Sequence, residues 1–207
     1  MVPQYDYWLF DLDGTLVDVE SSYRRRVVTG VEDRLSLSFT DEQRYMLWHG
    51  TDEVRRDLLP DDLGIREFWE VFDEVDDPVE RAEATYLYDD ADWVADVDAP
   101  AGIVTHCPEP VAEVVFDTLG IRDWFETIVC CSEELGWKPD PAPVEHAKRG
   151  IDVAYNGHRG VLAGDSVCDV GAAENAGLDG IHVDRHDPDV NRRASIGDYR
   201  IASFADL

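Results

Sequence analysis

Short apolar runs alternate with helical stretches through the second half of the chain. The apolar runs occupy residues 102–104, 127–130, 161–163 and 180–183. Helical stretches begin near residues 110, 143 and 169. This alternation is typical of a parallel β-sheet that is covered by helices. An earlier aromatic-rich run, residues 7–10, is expected to join the same sheet, so the sequence predicts an α/β fold.

Residues 18 to about 90 follow a different pattern, with no convincing strand. Apolar side chains recur at helical spacing at Val19, Tyr23, Val27, Val31 and Leu35, and again at Ile65, Phe68, Trp69, Phe72 and Val75. Residues 40–43 match a capping box, and the Asp-Pro pair at 77–78 predicts a helix that runs to about residue 88. We expect four or five helices in this block.

The position of the helical block predicts a second unit within the chain. Because residues 7–10 must join the sheet, the block is an insertion after the first strand and forms a cap over the strand ends. The predicted division is an α/β core of residues 1–17 plus 91–207 and a helical cap of residues 18–90. A cap that closes over a site excludes water from it.

Two carboxylates follow the first predicted strand directly. Asp11 and Asp13 would lie at the carboxyl end of residues 7–10, where open parallel sheets place their sites. A carboxylate there can attack phosphorus and form an aspartyl phosphate. Asp13, two residues on, can protonate the leaving oxygen and then deprotonate the attacking water. Gly14 permits a sharp turn, and Thr15 can hydrogen-bond that turn locally.

Three later segments supply groups that would complete such a site. Thr105 ends the second apolar run, where its hydroxyl and nearby backbone N–H groups can hold phosphoryl oxygens. Lys138 is one of only two lysines in the chain and can neutralise both nucleophile and phosphoryl group. Asp165 and Asp169 follow residues 161–163, and carboxylates at a strand end suit Mg²⁺.

The four segments together resemble the haloacid dehalogenase-like (HAD) hydrolase superfamily, in its phosphatase branch. The resemblance spans the whole chain and implies a Rossmann-like three-layer core of parallel strands with an inserted α-helical cap. It implies Asp11 as nucleophile, Asp13 as general acid/base, and Thr105 and Lys138 as catalytic residues that hold phosphate. Family members often have Asn after the Thr, where this chain has His106.

The same resemblance implies the cofactor and the substrate class. Mg²⁺ would be bound by Asp11, Asp165 and the backbone carbonyl of Asp13, with Asp169 in support. Residues 48–51 resemble the substrate-specificity loop of the family. The substrate-binding residues expected from the resemblance are Thr105, His106, Lys138, Gly50 and Thr51. The expected activity is Mg²⁺-dependent hydrolysis of a small phosphomonoester of the phosphoglycolate or sugar-phosphate class.

The net charge of the chain excludes several partners. The 46 acidic residues outnumber the 18 basic ones, which gives a net charge of −28. The acids are dispersed, and scarce lysine with dispersed acid resembles proteins of salt-loving archaea, where salt screens self-repulsion. Nucleic acid and anionic membranes are not expected partners. The start of the chain resembles no signal peptide and no run reaches ~18 apolar residues, so we expect a cytoplasmic protein. A monomer or homodimer is expected.

Three other functions use the same residues. A 2-haloacid dehalogenase would share the nucleophile, but expelling halide needs no general acid, so Asp13 favours phosphate chemistry. A phosphomutase would share all four segments and differ in its cap. A non-catalytic phosphate-binding relative would be indicated by loss of Asp11 or Asp13, and both are present.

Two further groups of polar residues have alternative interpretations. Arg55 and Arg56 follow the cap loop and either meet an anionic substrate group or lie on the surface. The segment 182–187 contains two His and two Asp residues and superficially resembles a set of metal ligands. Because it follows the last clear strand, we expect it to form a solvated loop.

Overall fold

A computed structural model describes residues 3–153, 157–186 and 197–207 of the chain. A six-stranded sheet forms the centre of the fold. Its strands are β1 (Tyr7–Phe10), β4 (Ala101–Thr105), β5 (Thr127–Cys130), β6 (Gly160–Gly164), β7 (Asp179–Val183) and β8 (Tyr199–Ile201). They are parallel throughout and lie in the order β5-β4-β1-β6-β7-β8. The predicted α/β fold is confirmed, while the edge strand β8 was not predicted.

The alternation of side chains along β1 divides the core into two faces. Trp8 and Phe10 pack on one face of the sheet, and Tyr7 and Leu9 pack on the other. All four side chains are buried, which explains the continuous apolar run. Burying a side chain of this size stabilises the fold by about 1.5 to 3 kcal/mol.

Three helices cover the two faces of the sheet. Helix α6 (Glu109–Leu119) covers the face of Phe10, and α7 (Ala142–Gly150) and α8 (Val167–Asn175) cover the other. Helix α6 ends at Gly120, whose left-handed conformation (φ 68°) caps the helix. The stretch before β4 contains only a short 3-10 helix, Ala91–Asp96.

The inserted block contains five helices with a hydrophobic core of their own. They are α1 (Ser21–Leu35), α2 (Asp41–His49), α3 (Asp52–Leu58), α4 (Ile65–Val75) and α5 (Pro78–Glu83). The capping box at Thr40 and Gln43 is present, and so is the N-cap at Asp77. Helix α5 packs against α6 of the core, and its Ala82 is buried in the core cluster.

The expectation that the block contains no strand was wrong. Strands β2 (Val17–Val19) and β3 (Thr85–Leu87) pair antiparallel and form a ribbon at the base of the block. Helix α5 therefore ends at Glu83 and not near residue 88, because the chain must extend to pair with β2. The division of the chain at residues 17/18 and 90/91 stays a proposal, and this ribbon lies at both of those boundaries. Of the helices in the described ranges, none combines the length and apolar composition of a bilayer span.

Candidate active site

The buried ammonium group of Lys138 joins two aspartates at the carboxyl edge of the sheet. Lys138 Nζ donates to Asp11 Oδ1 at 2.7 Å and to the Val104 carbonyl at 2.7 Å. The same nitrogen lies 2.6 Å from Asp169 Oδ1. Asp11 follows β1, and its backbone N–H donates to Ala163 of β6, so the sheet itself positions the carboxylate. Three of the predicted site residues, Asp11, Lys138 and Asp169, therefore lie together at this edge of the sheet.

Burial and charge determine the protonation of these groups. Burial, together with the negative charge of Asp169, raises the pKa of Asp11 to about 7, although Lys138 opposes the shift. Burial and the charges of Asp11 and Asp169 raise the pKa of Asp165 well above its usual range. Burial opposes the charged form of Lys138, but the two carboxylates raise its pKa and keep it an ammonium ion.

Asp11, Asp165 and Asp169 form a compact cluster of oxygen donors. Each places a carboxylate oxygen within 4.8 Å of the other two. With one ammonium among three carboxylates, the cluster has two excess negative charges when all are ionised. Oxygen donors with this excess charge fit a hard divalent cation such as Mg²⁺. Both oxygens of Asp169 already have partners, because Oδ2 accepts from Ser166 N at 2.9 Å and Oδ1 lies 2.6 Å from Lys138 Nζ. Asp169 is therefore placed to support a cation site indirectly rather than to bind the cation itself.

Thr15 ties the first and last segments of the site together. Its hydroxyl donates to Asp165 Oδ1 at 3.2 Å and accepts from Asp165 N at 3.0 Å. The expected local bond within the turn is thus replaced by a bond across 150 residues of sequence. Gly14 has φ 80°, and a Cβ there would lie 2.7 Å from Asp165 Oδ2 and 2.9 Å from His186 Nε2. Only glycine fits this turn.

The side chain of Asp13 points toward the inserted helices. Arg81 Nη2 donates to Asp13 Oδ1 at 2.7 Å, and Arg81 Nη1 donates to Asp76 Oδ2 at 2.8 Å. The Arg81 guanidinium also lies 4.7 Å from the ring centroid of Trp48 in α2. Although burial opposes its charge, the two carboxylates raise the pKa of Arg81. The sequence contained no signal for this contact, because Arg81 belongs to no motif.

Thr105 and His106 lie on either side of the boundary between core and surface. Thr105 is the last residue of β4 and is buried, and its Oγ1 accepts from Cys107 N at 3.0 Å. That bond leaves the hydroxyl proton of Thr105 available to an acceptor. His106 is exposed, and its ring lies edge-on to Trp137 with centroids 5.5 Å apart.

The cap loop that contains Gly50 and Thr51 connects to the aspartate cluster through two histidines. Gly50 directly follows α2 as its C-cap, and Thr51 precedes α3 without a capping hydrogen bond from its side chain. The His49 ring lies 4.0 Å from the His186 ring, centroid to centroid. His186 Nε2 in turn lies 3.6 Å from Asp165 Oδ2. His49, directly before Gly50, therefore contacts a histidine that adjoins the carboxylate cluster.

The order and spacing of these residues are those of a known family. A sequence model of the haloacid dehalogenase-like hydrolases matches residues 5–177 of the chain. The chain belongs to this family.

Individual relatives agree with this assignment to the haloacid dehalogenase-like hydrolases. The phosphoglycolate phosphatase of Nitrosococcus oceani is 28% identical over 196 residues, which cover 85% of this chain and 82% of that protein. The crystal structure of a candidate phosphoglycolate phosphatase from Lactobacillus plantarum has a TM-score of 0.81 at 22% identity, covering 99% and 98% of the two chains. CbbY from Rhodobacter sphaeroides, solved with phosphate, has a TM-score of 0.72 at 24% identity, covering 99% and 96%. These structural likenesses establish the haloacid dehalogenase-like fold.

The two cap arginines of this family member have different environments. Arg55 is buried, and it donates to the Leu47 and Trp48 carbonyls at 2.9 and 3.0 Å and to Asp52 at 3.3 Å. These hydrogen bonds therefore fix the conformation of the chain that leads into the loop at residues 48–51. Arg56 is exposed and lies 3.8 Å from Asp52.

The expectation of a solvated loop at 182–187 was wrong. His182 is buried within β7, and Arg185 Nη2 donates to Asp90 at 2.6 Å. The His186 side chain is only 5% exposed, because it packs against the cap. Asp187 lies outside the described residues. Polar composition misled the prediction, since these side chains face partners from distant parts of the chain.

Proposed function

We propose that the protein hydrolyses a small phosphomonoester through an aspartyl phosphate on Asp11. The observation that carries this proposal is the ammonium of Lys138 held between Asp11 and Asp169 at the end of the central strand. An ammonium there offsets the repulsion between an anionic nucleophile and an anionic phosphoryl group. The activity named for the Nitrosococcus oceani relative also supports it and favours phosphoglycolate as the substrate. A sugar phosphate is the alternative substrate class that we retain.

The reaction divides into two displacements at phosphorus. In the first, Asp11 attacks the phosphoryl group while the carboxyl group of Asp13 protonates the leaving oxygen. In the second, Asp13 takes a proton from water, which attacks the aspartyl phosphate and releases inorganic phosphate. Lys138 and Thr105 hold phosphoryl oxygens in both steps. The Thr105 hydroxyl, already fixed by Cys107 N, has its proton free for this purpose.

The cluster Asp11, Asp165 and Asp169 fits Mg²⁺ by donor type and charge. Asp11, Asp165 and the backbone carbonyl of Asp13 would hold the ion, and Asp169 would orient Lys138. When bound, Mg²⁺ supplies positive charge that offsets repulsion between Asp11 and the substrate. Thr15 orients Asp165 for this purpose.

Substrate selection is assigned to the inserted helices. Gly50 and Thr51 directly follow His49, whose ring contacts His186 beside Asp165, and His106 lies at the exposed end of β4. Arg55 shapes the loop that contains Gly50 and Thr51 through its bonds to two carbonyl oxygens. We therefore assign the phosphoryl group to Thr105 and Lys138 and the remainder of the substrate to Gly50, Thr51 and His106.

Phosphate release from a panel of phosphomonoesters tests the proposal. We expect release that requires Mg²⁺, stops with chelator and is strongest for one or two substrates. Asp13→Asn should lower kcat by about 10²- to 10⁴-fold, the usual contribution of acid–base catalysis. Asp140→Asn is the matched control, because Asp140 caps Ala142 in an exposed turn. No release from any ester by folded protein would contradict the proposal, and a requirement for a bisphosphorylated activator would indicate a mutase.

A further inference from the structure

Three potential metal ligands that have no part in the proposed reaction meet where the inserted helices contact the core. Asp18 belongs to the ribbon strand β2, His49 ends helix α2, and His186 follows β7. Each places a ligand atom within 4.8 Å of the other two. The three residues thus come from three separate elements, which this junction brings together.

The two histidines have buried nitrogen atoms without hydrogen bonds. Among the described residues, none donates to or accepts from His49 Nε2 or His186 Nε2. The His186 side chain is 95% buried, with 5% exposed. Buried polar atoms are almost always paired, because an unpaired one gives up its hydrogen bond to water without a replacement. Two adjacent imidazole nitrogens without hydrogen bonds indicate that a group outside the described residues binds them.

Neighbouring side chains orient these ligands. Tyr45 Oη lies 3.2 Å from His186 Nδ1, a contact that fixes the ring and leaves Nε2 as the other ligand atom. Arg24 donates to both oxygens of Asp18, at 2.9 and 3.0 Å. Val19 N donates to Asp18 Oδ1 at 2.7 Å, and Tyr88 Oη donates to Asp18 Oδ2 at 3.3 Å. The bond from Tyr88 is the longest of these, and a metal would replace it.

We propose that Asp18, His49 and His186 form a binding site for a divalent transition metal of the Zn²⁺ type. Two imidazoles and one carboxylate are a common zinc ligand set, whereas Mg²⁺ takes oxygen donors. The site is therefore chemically distinct from the cluster of Asp11, Asp165 and Asp169. His186 Nε2 lies 3.6 Å from Asp165 Oδ2, so the two sites are neighbours.

An ion at this site would join the cap to the core. His49 lies in the helical insertion and His186 in the core, and their rings already lie 4.0 Å apart. A metal bound by both would hold the cap loop over Asp11. The proposed effect is a more stable protein with slower turnover, since the cap must open to exchange substrate and product.

Co²⁺ is a suitable probe, because its visible absorption reports its ligands without any assay of activity. The full chain is saturated with Mg²⁺ to fill the acidic cluster and then titrated with Co²⁺. We expect one Co²⁺ per chain, an absorption band typical of nitrogen ligands in a four- or five-coordinate site, and displacement by Zn²⁺. The melting temperature should rise with Co²⁺.

Variants at the two histidines separate this site from others. His49→Ala, His49→Gln and His186→Ala should each weaken Co²⁺ binding by about tenfold or more, with folding checked by circular dichroism. His146→Ala is the matched control and should bind Co²⁺ as the parent does. Unchanged Co²⁺ binding in the folded His49 and His186 variants would overturn the proposal. So would a near-ultraviolet charge-transfer band from a cysteine ligand, or binding that Mg²⁺ abolishes.

Discussion

The guanidinium of Arg81 donates a hydrogen bond to the carboxylate of Asp13 across 2.7 Å. This contact joins the proposed acid/base residue to the inserted helices. The other end of the guanidinium is held by Asp76, which also accepts from Tyr23 Oη at 2.9 Å. The orientation of Asp13 is therefore linked to the position of the helices around it.

Replacing Arg81 should affect kcat more than KM. We expect Arg81→Ala to lower kcat by about 10- to 100-fold, part of the full acid–base contribution, because Asp13 loses its positioning partner. The variant should also be less stable by about 3 to 5 kcal/mol, since Asp76 is left buried without its cation. Steady-state kinetics at a temperature where the variant is folded would measure the first effect, and denaturant unfolding the second.

Two further variants separate positioning from structure. Arg81→Lys keeps the charge and should restore part of kcat. Arg26→Ala removes an exposed ion pair with Glu80 and should change neither quantity, because exposed pairs contribute little. Equal kcat in Arg81→Ala and the parent protein would show that the contact does not position Asp13.

Gly14→Ala should abolish most of the activity. Its Cβ would lie 2.7 Å from Asp165 Oδ2, so the carboxylate must move, and the left-handed backbone adds about 1 to 3 kcal/mol. Gly120→Ala is a matched control with a similar φ of 68° and nothing within 4 Å of its Cβ. We expect similar backbone costs in unfolding experiments, but loss of phosphate release only for Gly14→Ala. Equal activity in the two variants would contradict the geometry of this turn.

The metal-free protein should lose stability as the pH rises. The pKa of Asp11 is raised from 3.8 to about 7 in the folded protein, so its contribution to stability is fully present below about pH 4 and is lost progressively as the pH rises to about 7. We expect a decrease on the order of 1 to 4 kcal/mol in the free energy of unfolding, measured with chelator present. Mg²⁺ should reduce the decrease, because it favours the ionised carboxylates.

The control for this pH effect is Asp11→Asn, which keeps the shape but cannot ionise. High salt in both samples screens the general repulsion of the acidic surface. The parent protein and Asp11→Asn should differ in their pH dependence between about pH 4 and pH 7. Identical pH profiles would show that Asp11 does not titrate in this range.

Salt should stabilise this protein. With 46 acidic and 18 basic residues, the folded chain repels itself. Raising KCl from about 0.1 M to about 1 M shortens the Debye length from about 10 Å to about 3 Å. We expect the melting temperature to rise over this range, with NaCl giving a similar increase. A constant or falling melting temperature would show that the acidic surface is not adapted to salt.

The parts of the site that follow strands were predictable from the sequence. Asp11, Thr105 and Asp165 each follow an apolar run, and parallel strands bring such positions to one edge of the sheet. Lys138 could be included because lysine is so rare in this chain. The sequence therefore predicted the α/β core and the meeting of Asp11, Lys138 and Asp169.

The contacts between the core and the inserted helices were not predictable in the same way. Arg81 and His186 depend on how the helices pack, and no local pattern encodes that packing. Strands β2 and β3 have three residues each, too few for a periodic signal. Tertiary packing also buried the side chains of Arg185 and His186 after β7, where polar composition indicated solvent.

Rapid acid quenching would show whether Asp11 becomes covalently phosphorylated during turnover. The enzyme is mixed with a substrate labelled in its phosphoryl group, quenched within the first turnover and mapped by peptide mass spectrometry. We expect acid-stable label on the peptide that contains Asp11, and none in Asp11→Asn. Phosphate release without any labelled enzyme at any quench time, or label on another residue, would rule out the proposed aspartyl phosphate.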